Sequence, residues 1–106
     1  MSPDERRDTA TLGDLVAACL RVMDYVQCAS RSDLDQDDRL LSACCYQIAV
    51  IGEAVKRVSP TTRSKHPEVP WKDIAGMRDR LIHGYHSVDV DELWKTATED
   101  VPALLE

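Results

Sequence analysis

The sequence contains no phenylalanine, few glycines and no long run of apolar residues. A membrane-spanning helix needs roughly 20 consecutive apolar residues, and no segment approaches that length. Residues 1–8 are mostly charged and no apolar stretch follows them directly, so they do not look like a secretory signal. We therefore expect a cytoplasmic protein that has no membrane partner.

Cysteines are few, and their spacing does not fit the usual metal or disulfide patterns. Cys44 and Cys45 are adjacent, and neither Cys19 nor Cys28 belongs to a Cys-x-x-Cys pair. His83 and His86 have no third histidine or cysteine at a spacing that would complete a zinc site. We expect buried, reduced cysteines that act as small apolar residues, and we expect no metal ion and no cofactor.

The chain does contain enough aliphatic side chain for one core. Of its 106 residues, 43% are hydrophobic, without an internal repeat or a low-complexity tract. This length corresponds to a single domain, 1–106, in which residues 1–9 are expected to form a flexible N-terminus. An aliphatic core favours helices over sheets, and we expect Trp71 and Trp94 to anchor it.

Apolar periodicity and turn residues divide the chain into helices. Four are predicted, at about Leu12–Ala29, Asp35–Val58, Trp71–Ile82 and Val90–Leu105. Prolines make residues 59–70 a loop with room for one short helical turn. The predicted fold class is all-α, an antiparallel bundle of four helices with a fifth left open. Gly52 inside the second helix predicts close approach of a neighbour, and Pro102 is expected to kink or fray the fourth.

Acidic residues outnumber basic ones, and the net charge of −6 argues against general coating of nucleic acid. The middle of the chain differs, because residues 41–86 carry seven basic and four acidic groups. An anionic ligand would therefore be met there, although ordinary scatter of surface charge would give the same counts.

Within this basic segment, Arg78, His83 and Tyr85 form the pattern Arg, four residues, His, one residue, Tyr. Cleavage of RNA without a metal needs a base for the ribose 2′-hydroxyl and a cation for the charge of the phosphorane. Histidine suits the first role and arginine the second. Arg80 is a candidate for binding a flanking phosphate, and Tyr85 for orienting phosphate or stacking on a base.

Helix geometry limits how this pair can work. Residues five apart are separated by about 140° around a helix axis, so Arg78 and His83 do not face one another on a continuous helix. A shared site needs either a helix that breaks near Gly84 or a second copy of the chain across a two-fold axis.

The sequence resembles the HEPN superfamily (higher eukaryotes and prokaryotes nucleotide-binding), and within it the HepT-like family. The similar segments are Ile51-Gly-Glu-Ala-Val-Lys-Arg-Val58, the run from Pro70 to Tyr85, Val88-Asp89, Leu93-Trp94 and Asp100-Val-Pro102. Together they extend over most of the chain.

The resemblance implies a HEPN-type bundle with metal-independent endoribonuclease activity, giving a toxin that acts on RNA such as tRNA or mRNA. It also implies a homodimer with a composite active cleft. The implied partner is an antitoxin of the MNT nucleotidyltransferase type, which would transfer AMP onto the motif tyrosine. Carried over by position, Arg78 and His83 are catalytic and Tyr85 is the modification site.

Three further features qualify this prediction. Asp79 stands where relatives often have asparagine, so it would pair with Arg78 or His83, or weaken phosphate binding. Glu53 lies in the similar segment 51–58, and since buried glutamate is rare unless paired, we expect it to hold a basic residue near the site. A non-catalytic module that binds a nucleotidyltransferase or a nucleotide, or a purely structural dimeric bundle, remains an alternative.

Overall fold

The structure, a computed structural model, describes residues 2–83 and 87–105, with Ile82 and His83 described by their backbone alone. In chain order the helices are α1 (Pro3–Val26), α2 (Arg31–Gln36), α3 (Asp38–Arg57), α4 (Pro60–Lys65), α5 (Trp71–Ala75), α6 (Met77–Leu81), α7 (Val90–Lys95), a π-helical turn (Thr96–Asp100) and α8 (Val101–Leu104). Two short strands, β1 (Ile82–His83) and β2 (Ser87–Val88), pair antiparallel. The predicted all-α class is confirmed, with this small ladder added.

The first helix begins at Pro3, so the predicted start near Leu12 is wrong. Ser2 caps the helix, since its hydroxyl accepts a hydrogen bond from the Glu5 amide at 3.1 Å. Proline at the first helical position and two acidic residues in the first turn stabilise this end. Residues 3–9, expected to belong to a flexible N-terminus, are therefore helical.

The second predicted helix is divided into two in the structure. Ser30 and Asp33 form a capping box that starts α2, and Asp37 then caps α3. The predicted first helix ends at about Ala29, and the polar residues that follow it, Ser30–Asp33, suit a helix end as well as a helix start. Arg31 joins α2 to α7 through an ion pair with Asp91 at 2.7 Å.

The core lies between the long helices α1 and α3 and the short C-terminal helices packed across them. The fully buried apolar residues are aliphatic or cysteine, as expected: Ala18, Cys19, Val22, Cys44, Ile48, Ile51, Val55, Leu81, Leu93, Ala97 and Val101. The polar Thr96 is fully buried among them. Trp71 and Trp94 are partly buried against this cluster, which confirms them as anchors. Among the described residues, no helix is long and apolar enough to cross a membrane.

The cysteines divide into two groups. Cys19 and Cys44 are fully buried, and burial raises the pKa of each thiol to about 11. Cys45 is half-buried, and burial also raises its pKa. Cys28 is exposed, so the expectation of buried cysteines is wrong at that position. All four are free thiols.

Gly52 is where α5 meets α3. A Cβ atom at this position would lie 3.4 Å from the carbonyl oxygen of Ala75. The close approach predicted from a glycine inside a helix is thereby confirmed. It seats α5, and through α5 the following helix α6, directly on α3.

We predict that Gly52→Leu lowers the free energy of unfolding by about 1–3 kcal/mol, because the added side chain must displace the α5 backbone. Gly13→Leu is the matched control, since a Cβ atom there meets nothing within 4 Å. Leucine is a better helix former than glycine, so the control should be neutral or stabilising. Urea unfolding of both variants measures the difference, and equal effects would contradict the seat at Gly52.

Asp8 joins the start of α1 to the start of α4. Its carboxylate accepts hydrogen bonds from the Ser59 amide at 3.0 Å, the Ser59 hydroxyl at 2.5 Å and the Thr62 hydroxyl. The residue is only 4% exposed. These hydroxyl donors, Ser59 first, hold the pKa of Asp8 below its ordinary value of 3.8.

We predict that Asp8→Asn lowers the midpoint of thermal unfolding at pH 7 and that this difference shrinks in acid. A carboxylate whose folded pKa is depressed stabilises the protein fully above its ordinary pKa and progressively less as the pH falls through the folded pKa. The comparison is therefore made between pH 7 and pH values below 3.8. Asp4→Asn, on the exposed surface of the same helix, is the control. A difference that does not change with pH would refute the assignment.

The C-terminal helix is interrupted but does not fray. The amide of Val101 donates to the carbonyl of Thr96, five residues earlier, and so closes the π-helical turn. Pro102 has no amide hydrogen, and its ring would crowd the carbonyl four residues before it. In the structure Pro102 lies in the first turn of α8, directly after the π-helical turn, at a position where proline is tolerated. The prediction that Pro102 disturbs this helix is confirmed, with a π-helical turn as the form of the disturbance.

Candidate active site

The motif lies on two short helices and a strand. Helix α5 ends at Ala75, and the amide of its C-cap residue Gly76 donates to the Lys72 carbonyl at 3.2 Å. Helix α6 restarts at Met77, and its buried residues Met77 and Leu81 hold it on the core. The predicted single helix Trp71–Ile82 is therefore divided at Gly76 and ends at Leu81. The opposite face of α6 carries Arg78 to the surface.

The chain leaves the helical path immediately after Leu81. Ile82 pairs with Val88 and His83 pairs with Ser87, while the Asp89 amide donates to the Leu81 carbonyl at 2.8 Å. His83 therefore lies on a strand rather than on the helix that carries Arg78. Of the two arrangements left open by the sequence, a broken helix is present, and the break comes before His83. The helix is therefore broken within a single chain, without any contact from a second copy.

Arg78 is available to a ligand. Its side chain is 50% exposed, and its described ion pair is with the neighbouring Asp79, at 3.4 Å. Asp79 is itself 73% exposed, so solvent screens the pair and makes it weak. Of the three alternatives given for Asp79, pairing with Arg78 is the one that the structure shows. An anion arriving at Arg78 would compete with this carboxylate.

Arg80, two residues further on, is already engaged by protein. Its Nη1 donates to the carboxylate of Asp73 at 2.7 Å and to the backbone carbonyl of Asp73 at 3.1 Å. Its Nε lies 3.8 Å from the Glu92 carboxylate. These contacts join α5, α6 and α7. Because its described partners are carboxylates of the protein, the structure does not favour the expected role of Arg80 in binding a flanking phosphate.

Glu53 is exposed, so the expectation of a buried glutamate is wrong. Its carboxylate pairs with Lys56 one turn along α3, at 3.5 Å, and both side chains are more than half exposed. Glu53 lines a groove of about 500 Å³ whose described walls come from α1 and α3. Its described basic partner, Lys56, therefore lies on α3 rather than in the motif segment.

The remaining motif residues are only partly described. His83 is placed by its backbone, and Tyr85 lies outside the described residues together with Gly84 and His86. The predictions for the His83 side chain and for Tyr85 therefore stay predictions. Within the described ranges, 2–83 and 87–105, no three His, Cys, Asp or Glu side chains are grouped so that they could share a metal ion.

Several basic side chains of the middle segment, residues 41–86, already contact other groups of the protein. Arg63 donates to the Val55 carbonyl at 2.7 Å and so closes the C-terminal end of α3, while Lys56 and Arg80 face carboxylates. Counting charges overestimates the cations available to a ligand, because it does not distinguish those that hold the fold. Arg78 and Lys56 differ from Arg63 and Arg80, because their described partners are exposed carboxylates that solvent screens, and of the two only Arg78 lies in the motif.

The sequence did not reveal that Asp73 and Glu92 are the partners of Arg80 in the motif segment. Asp73 lies seven residues before Arg80, a spacing that carries no usual helical pairing signal across a bend. Glu92 is the third residue of α7, where the Asp89 side chain accepts a hydrogen bond from its amide at 3.0 Å. Its contact with Arg80 depends on the turn of the chain through β1 and β2.

Comparison with known proteins gives a consistent result. A family model described as ribonuclease HepT-like matches residues 15–106. A protein of Thermococcus cleftensis named "Probable ribonuclease HepT" is 38% identical over 93 residues, which cover 88% of this chain and 84% of the relative. A protein of Caldanaerobacter subterraneus subsp. tengcongensis named "Putative RNase" is 39% identical over 93 residues, covering 88% and 83%. No solved structure matches the chain significantly.

Proposed function

Because the chain belongs to the HepT-like ribonuclease family, we propose that it is a metal-independent endoribonuclease that acts as a toxin. The observation that carries this proposal is the end of α6 at Leu81. It leaves an exposed Arg78 on a helix and His83 on the strand that follows. A cation and an imidazole separated in this way can approach one phosphodiester from two sides.

The proposed reaction needs no group beyond this pair and the RNA. His83 removes the proton from a ribose 2′-hydroxyl, and the 2′-oxygen attacks the adjacent phosphorus. The bond from phosphorus to the 5′-oxygen breaks, and a 2′,3′-cyclic phosphate remains. The departing 5′-oxygen takes up the proton that His83 removed, which restores the neutral imidazole. Arg78 stabilises the charge on the phosphorane oxygens, since its fixed charge and forked donors match two of them.

A second copy of the chain completes the proposed cleft. In a symmetric homodimer, the same surface of each copy faces the two-fold axis. Two motif segments brought together across that axis would offer two arginines and two histidines to one RNA strand. The exposure of Arg78 supports this arrangement, because a buried guanidinium would not reach a shared cleft.

The partner in this proposal is an MNT-type nucleotidyltransferase that acts as antitoxin. The hydroxyl oxygen of Tyr85 would attack the α-phosphorus of ATP, and pyrophosphate would leave. An AMP group two residues from His83 would add negative charge and bulk where RNA must bind. Intact-mass measurement after incubation with the partner and ATP tests this step. One adenylyl mass on the wild type and none on Tyr85→Phe is the expected result.

The nuclease proposal is tested by incubating the purified protein with RNA in the presence of a chelator. We expect cleavage that leaves 2′,3′-cyclic phosphate ends. The matched control substrate carries a single 2′-deoxy substitution at the mapped cleavage site and should resist cleavage there. Complete loss of activity with the chelator, or unchanged cleavage of the deoxy substrate, would refute the mechanism.

Toxicity is tested separately, by inducing the protein alone in growing cells. A toxin arrests growth, and co-expression of an MNT-type nucleotidyltransferase partner should restore growth. Normal growth together with no RNA cleavage in vitro would favour the alternative, a non-catalytic module that binds a nucleotidyltransferase or a nucleotide.

A further inference from the structure

Arg80 connects three helices at the point where the motif is built. Its guanidinium holds Asp73 of α5 through both the carboxylate and the backbone carbonyl, and it faces Glu92 of α7. The Asp73 contact spans the bend at Gly76, where the helix is interrupted. One side chain therefore ties together the two short helices and the helix that follows the strands.

The electrostatics of Arg80 differ from those of a phosphate ligand. Two carboxylates face a single guanidinium, so the local charge of this group is negative rather than positive. The side chain is 35% exposed, compared with 50% for Arg78. A phosphate bound to Arg80 would have to displace Asp73 or accept repulsion from it. Arg80 is therefore poorly suited to holding RNA.

In the sequence, both proposed catalytic residues lie between Asp73 and Glu92, the two partners of Arg80. Arg78 precedes it by two residues, and the Leu81 carbonyl that follows is held by the Asp89 amide at 2.8 Å. Asp89 also caps α7, the helix that carries Glu92. Contacts at Arg80 and Leu81 thus fix the last two residues of α6, directly before β1 begins at Ile82. A displacement of about 1 Å at such a point can lower a reaction rate a hundredfold.

We propose that Arg80 is a positioning residue for the nuclease reaction, which locks α5, α6 and α7 together through Asp73 and Glu92 and so sets Arg78 against His83. The inference rests on the proposed function, and it reassigns Arg80 from binding substrate to holding the motif frame. Asp73 becomes its working partner.

The test compares Arg80→Ala, Asp73→Ala and the double variant in single-turnover cleavage and in RNA binding. A positioning role predicts that each single change lowers the cleavage rate about 10- to 100-fold, while the dissociation constant for RNA changes less than about threefold. The double variant should lose no more than the worse single one, because both changes break the same contact. Arg80→Lys should restore only part of the rate, since it cannot reproduce the forked contact.

A substrate-binding role predicts a different pattern. Arg80→Ala would then weaken RNA binding and reduce its salt dependence by about one counterion, and Asp73→Ala would strengthen binding by releasing the arginine. Lys72→Ala removes an exposed positive charge from α5 and measures the purely electrostatic effect of losing a cation there. If Arg80→Ala behaves like Lys72→Ala, the inference is overturned.

Hydrogen exchange separates this inference from the nuclease proposal. The Asp89 amide, bonded to the Leu81 carbonyl, should exchange at least about tenfold faster in Arg80→Ala than in the wild type, with α1 and α3 unaffected. This holds whether or not the wild type cleaves RNA. Unchanged exchange at Asp89 would refute the frame, whereas an inactive wild type with increased exchange would refute only the nuclease proposal.

Discussion

Replacing His83 with alanine is expected to lower the rate of RNA cleavage by about two to four orders of magnitude, the usual contribution of a positioned general base. The loss should appear in the chemical step, because the substitution leaves the exposed guanidinium of Arg78 in place to bind phosphate. Single-turnover cleavage at saturating enzyme measures it directly, and RNA binding measured in parallel should change little.

The chain offers a matched control for this result. His66 caps the end of α4, with its ring 56% exposed and 3.6 Å from Glu68. His66→Ala should leave cleavage unchanged. Circular dichroism of both variants checks that the helices persist, since His83 contributes its backbone to the pairing with Ser87 whatever its side chain. Full activity in His83→Ala would end the proposal that this histidine is the base.

Arg78→Ala should lower the cleavage rate about 100- to 1,000-fold, the range seen when one donor to a developing oxyanion is removed. Arg78→Lys should lie between the wild type and alanine, because lysine keeps the charge and loses the forked geometry. Stability should barely move, since the residue is half exposed and its described ion pair, with Asp79, is screened. The measurements are single-turnover rates and the midpoint of urea unfolding.

Arg7→Ala is the matched control for Arg78→Ala. Arg7 is an exposed arginine of α1 that pairs with Asp4 at 3.3 Å, much as Arg78 pairs with Asp79. It removes the same charge from a different surface and should have no effect on the chemical step. A large loss of stability in Arg78→Ala, without a specific loss of activity, would favour the structural interpretation of the bundle.

The sequence predicted the helical class well but misplaced helix starts. Ser2-Pro3-Asp4-Glu5 carries a clear start signal, yet the apolar stripe begins only near Leu12, and the periodicity therefore decided the prediction. Because Asp8 finds its partners at Ser59 and Thr62, far along the chain, no local pattern could reveal that this end of α1 is anchored. The start of α2 at Ser30 was not predicted, because Ser30 and its capping partner Asp33 fit equally well in a polar turn.

For the candidate site, the spacing in the sequence identified the candidate residues, but the groups that contact them could be found only from the structure. The pattern Arg78, His83 and Tyr85 could be found from the sequence, and so could the need for either a broken helix or a second copy of the chain. The role of Arg80 could not, since its partners Asp73 and Glu92 are brought to it by a bend and a strand pair. Local propensity does not predict such contacts, because they depend on how short elements stack on the core.

The π-helical turn at Thr96–Asp100 has a consequence for how this chain tolerates changes in length. A turn of this kind holds one residue more than an α-helical turn, so it acts as an insertion that the helix has absorbed. Removing a single residue from this turn would shorten the chain and return the segment to ordinary helical spacing. After such a deletion, Val101 would stay in the core only if the α-helical turn leaves room for the ring of Pro102. The last helix can thus change its length by one residue at this turn. Insertions and deletions between homologous chains can therefore be accommodated here without forming a loop.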